Sequence, residues 1–340
     1  MSATLERARE LRGHLQAAQE EAFASGCCAD VTHEQLLEGE FDTMLVPRRG
    51  GGLGLDLTDF LDVVAELARG CPPSAWCAAS LALGGARAYE LFERGGGVRC
   101  ALGLRGEARA RRMPSGWSVS GSFARCTGAS RATHFLAVAP IEGEEGVLRF
   151  LVSREQLELR DHGTAACAAT VVLESVEVAD GLASTAAAPV DAWSASVPAA
   201  ALAAVFAGAA DRATQLAEGV VRAAPATRAL DPDHQRWLGA AIAHASAAGA
   251  ILGEAAARGE TGLTLAALAR RSMSYAWQAA QEALAGSAAG DRVERDELER
   301  IARFLLSTRD DGIVPAPEWL ARELARERLE LPLDAPLPAG

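Results

Sequence analysis

The stretch "VPRRGGGLGLDLTDFLDVVAELARGCPPSAW" (residues 46–76) predicts a tight glycine turn followed by an amphipathic helix. Its four glycines lie between positions 50 and 54, and Asp56 is placed to cap a helix with apolar residues at helical spacing. Gly70 and a pair of prolines end that helix. The pattern lacks a preceding strand and the Gly-Lys-Ser/Thr ending of phosphate-binding loops. Because glycine tolerates positive φ angles, we expect a structural turn rather than a nucleotide site.

The composition is that of a globular protein with more than one domain. The chain has 340 residues, 49% of them hydrophobic, and a formal net charge of −12 without a dense basic run. This charge argues against nucleic acid or an anionic membrane surface as a partner. The seven cysteines include no Cys-x-x-Cys pair, and the vicinal Cys27 and Cys28 are poorly spaced for a disulfide or a zinc site. With no apolar run long enough to span a bilayer, we expect a reduced, cytoplasmic protein.

Three zones follow one another along the chain. Residues 1–97 show helical periodicity, residues 98–185 contain short β-rich segments between turns, and residues 190–330 form long alanine-rich helices. We predict a mainly α fold with a small β domain: an N-terminal helical domain, a middle antiparallel β-barrel or sandwich, and a C-terminal four-helix bundle. Pro198 is expected at the first position of the first bundle helix, and Asp231 is expected to cap the second.

Five local motifs resemble, in their order, the acyl-CoA dehydrogenase fold, and most closely its branch of reduced-flavin-dependent, two-component monooxygenases. The first is the glycine turn with the Ser-Ala-Trp that opens the next helix. The second is "WSVSGSFARCTGASRATHFLAV" (117–138), and the third is "TVVLESVEVAD" (170–180). The last two are "ALDPDHQRWLGAAIAHASAAGAILG" (229–253) and "AQEALAGSAAG…ELERIARF" (280–304). The resemblance covers nearly the whole chain.

The resemblance implies a flavin between the β domain and the bundle, in a site completed across subunits. A hydroxyl and backbone amides meet the flavin edge, and His134 lies where it can stack on the ring or move a proton. An ordinary turn and a structural histidine are the alternative explanations. The positions that the resemblance assigns to the cofactor are Thr127, Gly128, Ala129, Thr164, Gly286 and Ser287.

The second flavin-binding segment departs from the family pattern. A Gly-Thr-Gly-Ser-like loop supplies hydroxyls in the family, whereas residues 165–168 here read Ala-Ala-Cys-Ala, with Thr164 just upstream. Each lost hydrogen bond is worth about 1–3 kcal/mol, so this change weakens FAD binding. We therefore expect reduced FAD or FMN held by few contacts.

The resemblance also implies a catalytic base and a substrate pocket. Asp311, or its neighbour Asp310, stands near the place of the histidine base of the monooxygenase branch, where burial would raise a carboxylate pKa. A solvated helix end explains the same "DDG". Ser74 and Trp76 are expected to line the substrate pocket, although the start of a helix also explains both.

The implied function is a flavin-dependent monooxygenase of bacterial secondary metabolism. It would use reduced flavin and O2 to hydroxylate an aromatic or polyketide-like intermediate, with a separate flavin reductase as partner. A homodimer or homotetramer is expected. Two alternatives stay open: an acyl-thioester dehydrogenase of the same fold, and a flavin-free descendant acting as a non-redox enzyme or a binding subunit. The missing hydroxyls favour the second alternative.

Overall fold

The computed structural model describes residues 2–95, 97–104, 106–160, 166–187, 192–223, 231–286 and 292–309. The chain forms two compact units, one from Met1–Val63 with Pro73–Asp191 and one from Val64–Pro72 with Ala192–Gly340. The N-terminal helices and the β-strands share the first unit. The finer division at residues 97 and 185 therefore remains a prediction.

The N-terminal part of the chain forms five helices, and the fourth, α4 (Leu57–Gly70), begins where the sequence places its cap. The cap predicted for α4 is confirmed, because the amide of Asp59 donates to Asp56 Oδ1 at 2.8 Å. The helix after the proline pair starts slightly earlier than expected, at the first proline rather than at Ser74. The helices are α1 (Ala3–Ala17), α2 (Gln19–Ser25), α3 (Asp30–Glu38), α4 (Leu57–Gly70) and α5 (Pro72–Phe92).

The glycine turn before α4 is closed by its own backbone hydrogen bonds. The amides of Gly50 and Gly52 donate to the carbonyl of Pro47 at 2.7 and 3.3 Å, and the amide of Gly54 donates to Val46 at 2.9 Å. Gly54 has a φ of +58°, which favours glycine. Since these amides already have partners within the chain, the turn is structural, as the sequence predicts.

The β part of the first unit contains, in the described residues, two four-stranded sheets in the orders β1-β4-β5-β8 and β2-β3-β7-β6. The sheets enclose an aromatic core in which the rings of Phe123 and Phe135 meet edge to face at 5.3 Å. The antiparallel prediction fails for one pair, since β1 runs parallel to β4. The strands are β1 (Cys100–Gly103), β2 (Gly106–Met113), β3 (Gly116–Cys126), β4 (His134–Pro140), β5 (Val147–Ser153), β6 (Glu158–Arg160), β7 (Ala169–Val178) and β8 (Ala183–Ala186).

The second unit contains the predicted bundle of long helices. Its helices are α6 (Ala192–Ala223), α7 (Pro232–Ala257), α8 (Gly262–Gly286) and α9 (Arg292–Arg309). The cap predicted for α7 is confirmed, because the Asp231 side chain accepts a hydrogen bond from the amide of Asp233. The predicted start of α6 is wrong: the helix begins at Ala192, so Pro198 lies inside it. A proline removes one helical hydrogen bond, and α6 retains its helical course despite that loss.

Contacts between the bundle helices are partly polar. Arg212 of α6 makes two hydrogen bonds to the carboxylate of Glu297 in α9, at 2.8 and 3.0 Å. The buried hydroxyl of Ser272 in α8 donates to the carbonyl of Ala248 in α7 at 2.8 Å. Among the described residues, α7 alone has the length and apolar composition that could also cross a membrane. One helix of this kind is weak evidence for a membrane span, and 33% of its apolar window is buried in the structure.

The small residues of the bundle allow a close approach between α6 and the second half of α4. A Cβ atom added at Gly208 would lie 2.9 Å from the carbonyl carbon of Ala65 and 2.9 Å from the Cβ of Ala68. Real Cβ atoms do not approach other atoms this closely. The packing of the two helices therefore depends on glycine at this position.

Gly208→Ala should lower the free energy of unfolding by about 1–3 kcal/mol, because the added methyl group overlaps the backbone of α4. The matched control is Gly249→Ala, at an exposed position of α7 where an added Cβ meets no described atom within 4 Å. This control should raise stability by about 0.5–1 kcal/mol. Urea denaturation followed by circular dichroism measures both changes. Equal effects of the two substitutions would contradict the close approach.

Candidate functional site

The predicted flavin turn, residues 127–130, follows β3 and is tied to the segment before β7. The amide of Gly128 donates to the carbonyl of Ala166 at 3.0 Å, and the amide of Ser130 donates to Cys167 at 3.2 Å. The amide of Ala129 donates within the turn, to the carbonyl of Cys126 at 3.2 Å. The amides of Gly128 and Ala129, expected to face the cofactor, are therefore occupied by the chain itself.

Thr127 keeps an available hydroxyl. Its side chain is half-buried, and the hydroxyl has no hydrogen-bond partner among the residues that the structure describes. The next residue fixes the turn against α5: a Cβ at Gly128, whose φ is +75°, would lie 3.1 Å from Leu81 Cδ2. Thr127 is thus a polar group held on a rigid turn, which suits a cofactor contact.

His134 begins β4 with one ring nitrogen occupied and the other available. Its Nδ1 lies 2.9 Å from the hydroxyl of Thr133, and that hydroxyl also lies 3.1 Å from the carbonyl of Arg99. Because the Thr133 hydroxyl has one proton to donate, and the Arg99 carbonyl only accepts, this pattern favours a proton on His134 Nδ1. Nε2 is then the acceptor nitrogen of this half-buried ring.

The surroundings of His134 favour the neutral form of its ring. Burial, and secondly the positive charge of Arg94, lower the pKa of His134. Both causes act against the protonated ring. A neutral imidazole with a free Nε2 can accept a hydrogen bond or a proton from a bound molecule.

We expect His134 to titrate below the ordinary histidine value of about 6.5. The unfolded chain then binds this proton more readily than the folded protein does. The stabilising contribution of neutral His134 is therefore complete above the unfolded-state pKa and is lost as the pH falls through the folded-state pKa. An NMR titration of the histidine ring protons measures this pKa. Arg94→Gln removes one cause and should raise it, whereas Arg109→Gln in β2 should leave it unchanged. A folded-state pKa at or above the ordinary value would show the interpretation to be wrong.

Ser74 and Trp76 lie in the first turns of α5 with their side chains 1% and 2% exposed. The indole Nε1 of Trp76 is buried without a hydrogen-bond partner in the described part of the chain, and so is the hydroxyl of Ser80. Trp76 and Ser80 are four residues apart and share one face of α5. Since an unpaired buried donor costs about 1–3 kcal/mol, this face can offer its polar atoms to a ligand.

The segment before β7, where the sequence predicted a second flavin contact, is fixed by a disulfide. Cys167 forms a disulfide with Cys27, with 4.1 Å between the Cα atoms, and its amide donates to the carbonyl of Gly26 at 2.9 Å. The expectation of reduced, unpaired cysteines is wrong for this pair. The partners are 140 residues apart, so a rule based on local spacing cannot find them.

Two further cysteines lie beside the disulfide. Cys28 and Cys77 are buried in the same apolar cluster as Cys167. A hydrogen bond from Cys77, together with nearby His33 and Arg131, holds the pKa of Cys28 well below the ordinary value. The same hydrogen bond and complete burial raise the pKa of Cys77. Sequence analysis missed this cluster, and the vicinal cysteines were its one visible signal.

The other predicted residues lie in the second unit or outside the described ranges. Gly286 ends α8 in the second unit, where an added Cβ would lie 3.2 Å from Trp237 Cβ. A concave surface on β2 and β3 contains none of the predicted residues. The predicted residues that lie outside the described ranges are Thr164, Ser287, Asp310 and Asp311.

No family profile and no curated protein matches the sequence. Solved structures match it over nearly its full length. The 3-HSA hydroxylase from Rhodococcus sp. RHA1 is 19% identical, with a TM-score of 0.82 over 98% of each chain. XiaF from Streptomyces sp., solved with FADH2 and glycerol, is 20% identical, with a TM-score of 0.84 over 98% of this chain and 96% of that one.

TdsC from Paenibacillus sp. A11-2, solved with FMN and indole, is 17% identical, with a TM-score of 0.75 over 99% of each chain. Likeness at these identities establishes the arrangement of the backbone. The chain therefore has the acyl-CoA dehydrogenase-like fold that its five motifs resemble.

Proposed function

We propose that the protein is a flavin-dependent monooxygenase that hydroxylates an aromatic or polyketide-like small molecule with reduced flavin and O2. The observation that carries this proposal is the full-length fold similarity to enzymes of which two were solved with FADH2 or FMN. When bound, a reduced flavin would supply the chemistry that activates O2 and passes one oxygen atom to the substrate. The protein's part is to bind, orient and exclude water.

The described residues of the first unit fit a flavin held by few contacts. The unpartnered hydroxyl of Thr127 is available to a polar edge of the ring system. The neutral ring of His134 presents Nε2 as a hydrogen-bond acceptor. The buried donors of Trp76 and Ser80 are suited to a carbonyl or phenol oxygen of the substrate.

The remaining roles are carried by the family resemblance. Asp311, or Asp310, is proposed as the base that removes a proton from the substrate. Ser287 and Thr164 are proposed as further flavin contacts, and Gly286 as a place where flavin of the partner subunit comes close. A separate flavin reductase, a homodimer or homotetramer and a cytoplasmic location belong to the same proposal.

A flavin-free function is the second candidate, and a specific observation favours it. The amides of Gly128 and Ala129 are occupied within the chain, and the resemblance places Ala166 and Ala168 at hydroxyl-bearing positions of the family. Each change removes a hydrogen bond that a flavin would otherwise receive. Binding measurements distinguish the two candidates.

Anaerobic titration with reduced FAD and reduced FMN, followed by protein fluorescence and thermal shift, tests the proposal. We expect at least one reduced flavin to bind. Thr127→Ala should raise the Kd of the reduced flavin about fivefold, because a neutral hydrogen bond contributes about 1 kcal/mol. Thr185→Ala, which removes an exposed hydroxyl on β8, is the matched control and should leave the Kd unchanged.

Absence of binding by any oxidised or reduced flavin would overturn the monooxygenase proposal and support the flavin-free candidate. Binding that is equally tight in wild type and Thr127→Ala would keep the cofactor but remove the assigned contact. The control variant separates both outcomes from a general loss of structure.

A further inference from the structure

Three separate segments of the first unit bring four cysteines together. Cys27 and Cys28 connect α2 to α3, Cys77 lies in the second turn of α5, and Cys167 precedes β7. The Sγ atoms of Cys27, Cys28 and Cys167 all lie within 4.8 Å of one another. Cys77 packs in the same buried cluster as Cys28 and Cys167. These four residues are called the cysteine cluster below.

One sulfur–sulfur distance in the cysteine cluster matches that of a metal thiolate site. Zinc–sulfur bonds of about 2.3 Å in a tetrahedron place neighbouring sulfur atoms about 3.8 Å apart. The sulfur atoms of Cys28 and Cys167 are 3.7 Å apart in this structure. The disulfide holds the sulfur atoms of Cys27 and Cys167 together, and these two atoms must separate before both can bind a metal.

The surroundings of the cluster suit a negatively charged metal centre. Four thiolates around one divalent cation carry a net charge of −2. Arg131 lies beside the cluster, where its Nη2 donates to the carbonyl of Cys28 at 2.6 Å. His33 lies near Cys28 and can support a thiolate ligand. Cys28, Cys77 and Cys167 are each at most 2% exposed, whereas Cys27 is half-buried and gives a route of entry.

We propose that reduction of the Cys27–Cys167 disulfide creates a tetrathiolate Zn²⁺ site from Cys27, Cys28, Cys77 and Cys167. A thiol reductant supplies two electrons and two protons and is itself oxidised to a disulfide. The chain thereby gains two thiols. When Zn²⁺ binds the four cysteines, the protons still on their thiols are released into water. In the oxidised form only Cys28 and Cys77 remain as thiols, which are too few ligands for a structural zinc site.

The metal would replace the disulfide as the link between the same segments. It joins the α2–α3 connection to the residues before β7, and it adds α5 through Cys77. The carbonyls of Ala166 and Cys167 in that link hold the turn at residues 127–130. Because a metal that binds only the folded chain stabilises it by mass action, Zn²⁺ should raise the melting temperature of the reduced protein.

Cobalt substitution in the full-length protein tests this site. The protein is reduced with a phosphine under nitrogen, freed of reductant and titrated with Co²⁺, then with Zn²⁺. We expect about one equivalent of Co²⁺ to give a thiolate-to-cobalt absorption band with tetrahedral visible bands, which Zn²⁺ abolishes. Zn²⁺ should also protect four cysteines of the wild-type protein from alkylation, as counted by mass spectrometry. The oxidised protein should give neither signal.

Cys77→Ser tests the ligand that lies outside the disulfide, and it should weaken Co²⁺ binding at least about tenfold. Cys100→Ser replaces a buried free cysteine outside the cluster and is the matched control, with binding unchanged. A reduced wild-type protein that shows no thiolate band and no protected cysteines overturns the proposal. A band of equal strength and affinity in Cys77→Ser overturns the four-ligand assignment. The wild-type measurement is decisive even if a variant fails to fold, and it is independent of flavin binding.

Discussion

The junction at Ala166 and Cys167 determines the geometry on which the candidate site depends. Both residues have positive φ angles, 55° and 54°, which for residues other than glycine cost of order 1–3 kcal/mol each. Their carbonyls accept hydrogen bonds from Gly128 and Ser130, and the Cys167 amide donates to Gly26. The disulfide to Cys27 adds a covalent link. These bonds maintain the unusual backbone and orient the turn that carries Thr127.

This junction lies in the segment that the family resemblance assigns to a second flavin contact. The resemblance places two alanines, Ala166 and Ala168, at the positions of the family's hydroxyl groups, and Ala166 and Cys167 are buried here. The segment now supports the turn at residues 127–130. Under the proposed function, the flavin is then held mainly by Thr127 and His134. Few contacts suit a reduced flavin that arrives from another protein and leaves after one turnover.

Features fixed by neighbouring residues could be predicted from the sequence. Asp56 and Asp231 cap their helices as expected, because an aspartate before an apolar periodic segment acts within three residues. The glycine turn was predictable for the same reason. The three-part order of helices, strands and helices followed from the change in hydrophobic period along the chain.

Features fixed by distant residues could not be predicted in this way. The Cys27–Cys167 pair and the use of the Gly128 amide both depend on the packing of segments far apart in the chain. The parallel pairing of β1 with β4 leaves no mark in the alternation of either strand. For α6, Pro198 is a start signal by local rules, yet the helix extends before it. In each case tertiary packing outweighs a local preference.

The central claim is that Thr127 and His134 hold the flavin above a turn whose geometry Cys167 maintains. A crystal structure of the protein with saturating, dithionite-reduced FMN or FAD tests it most directly. The account predicts electron density for the flavin ring within hydrogen-bond distance of the Thr127 hydroxyl and in contact with His134, with the Gly128–Ala166 hydrogen bond kept. A flavin bound elsewhere, or a turn that opens to give its amides to the flavin, would contradict the account.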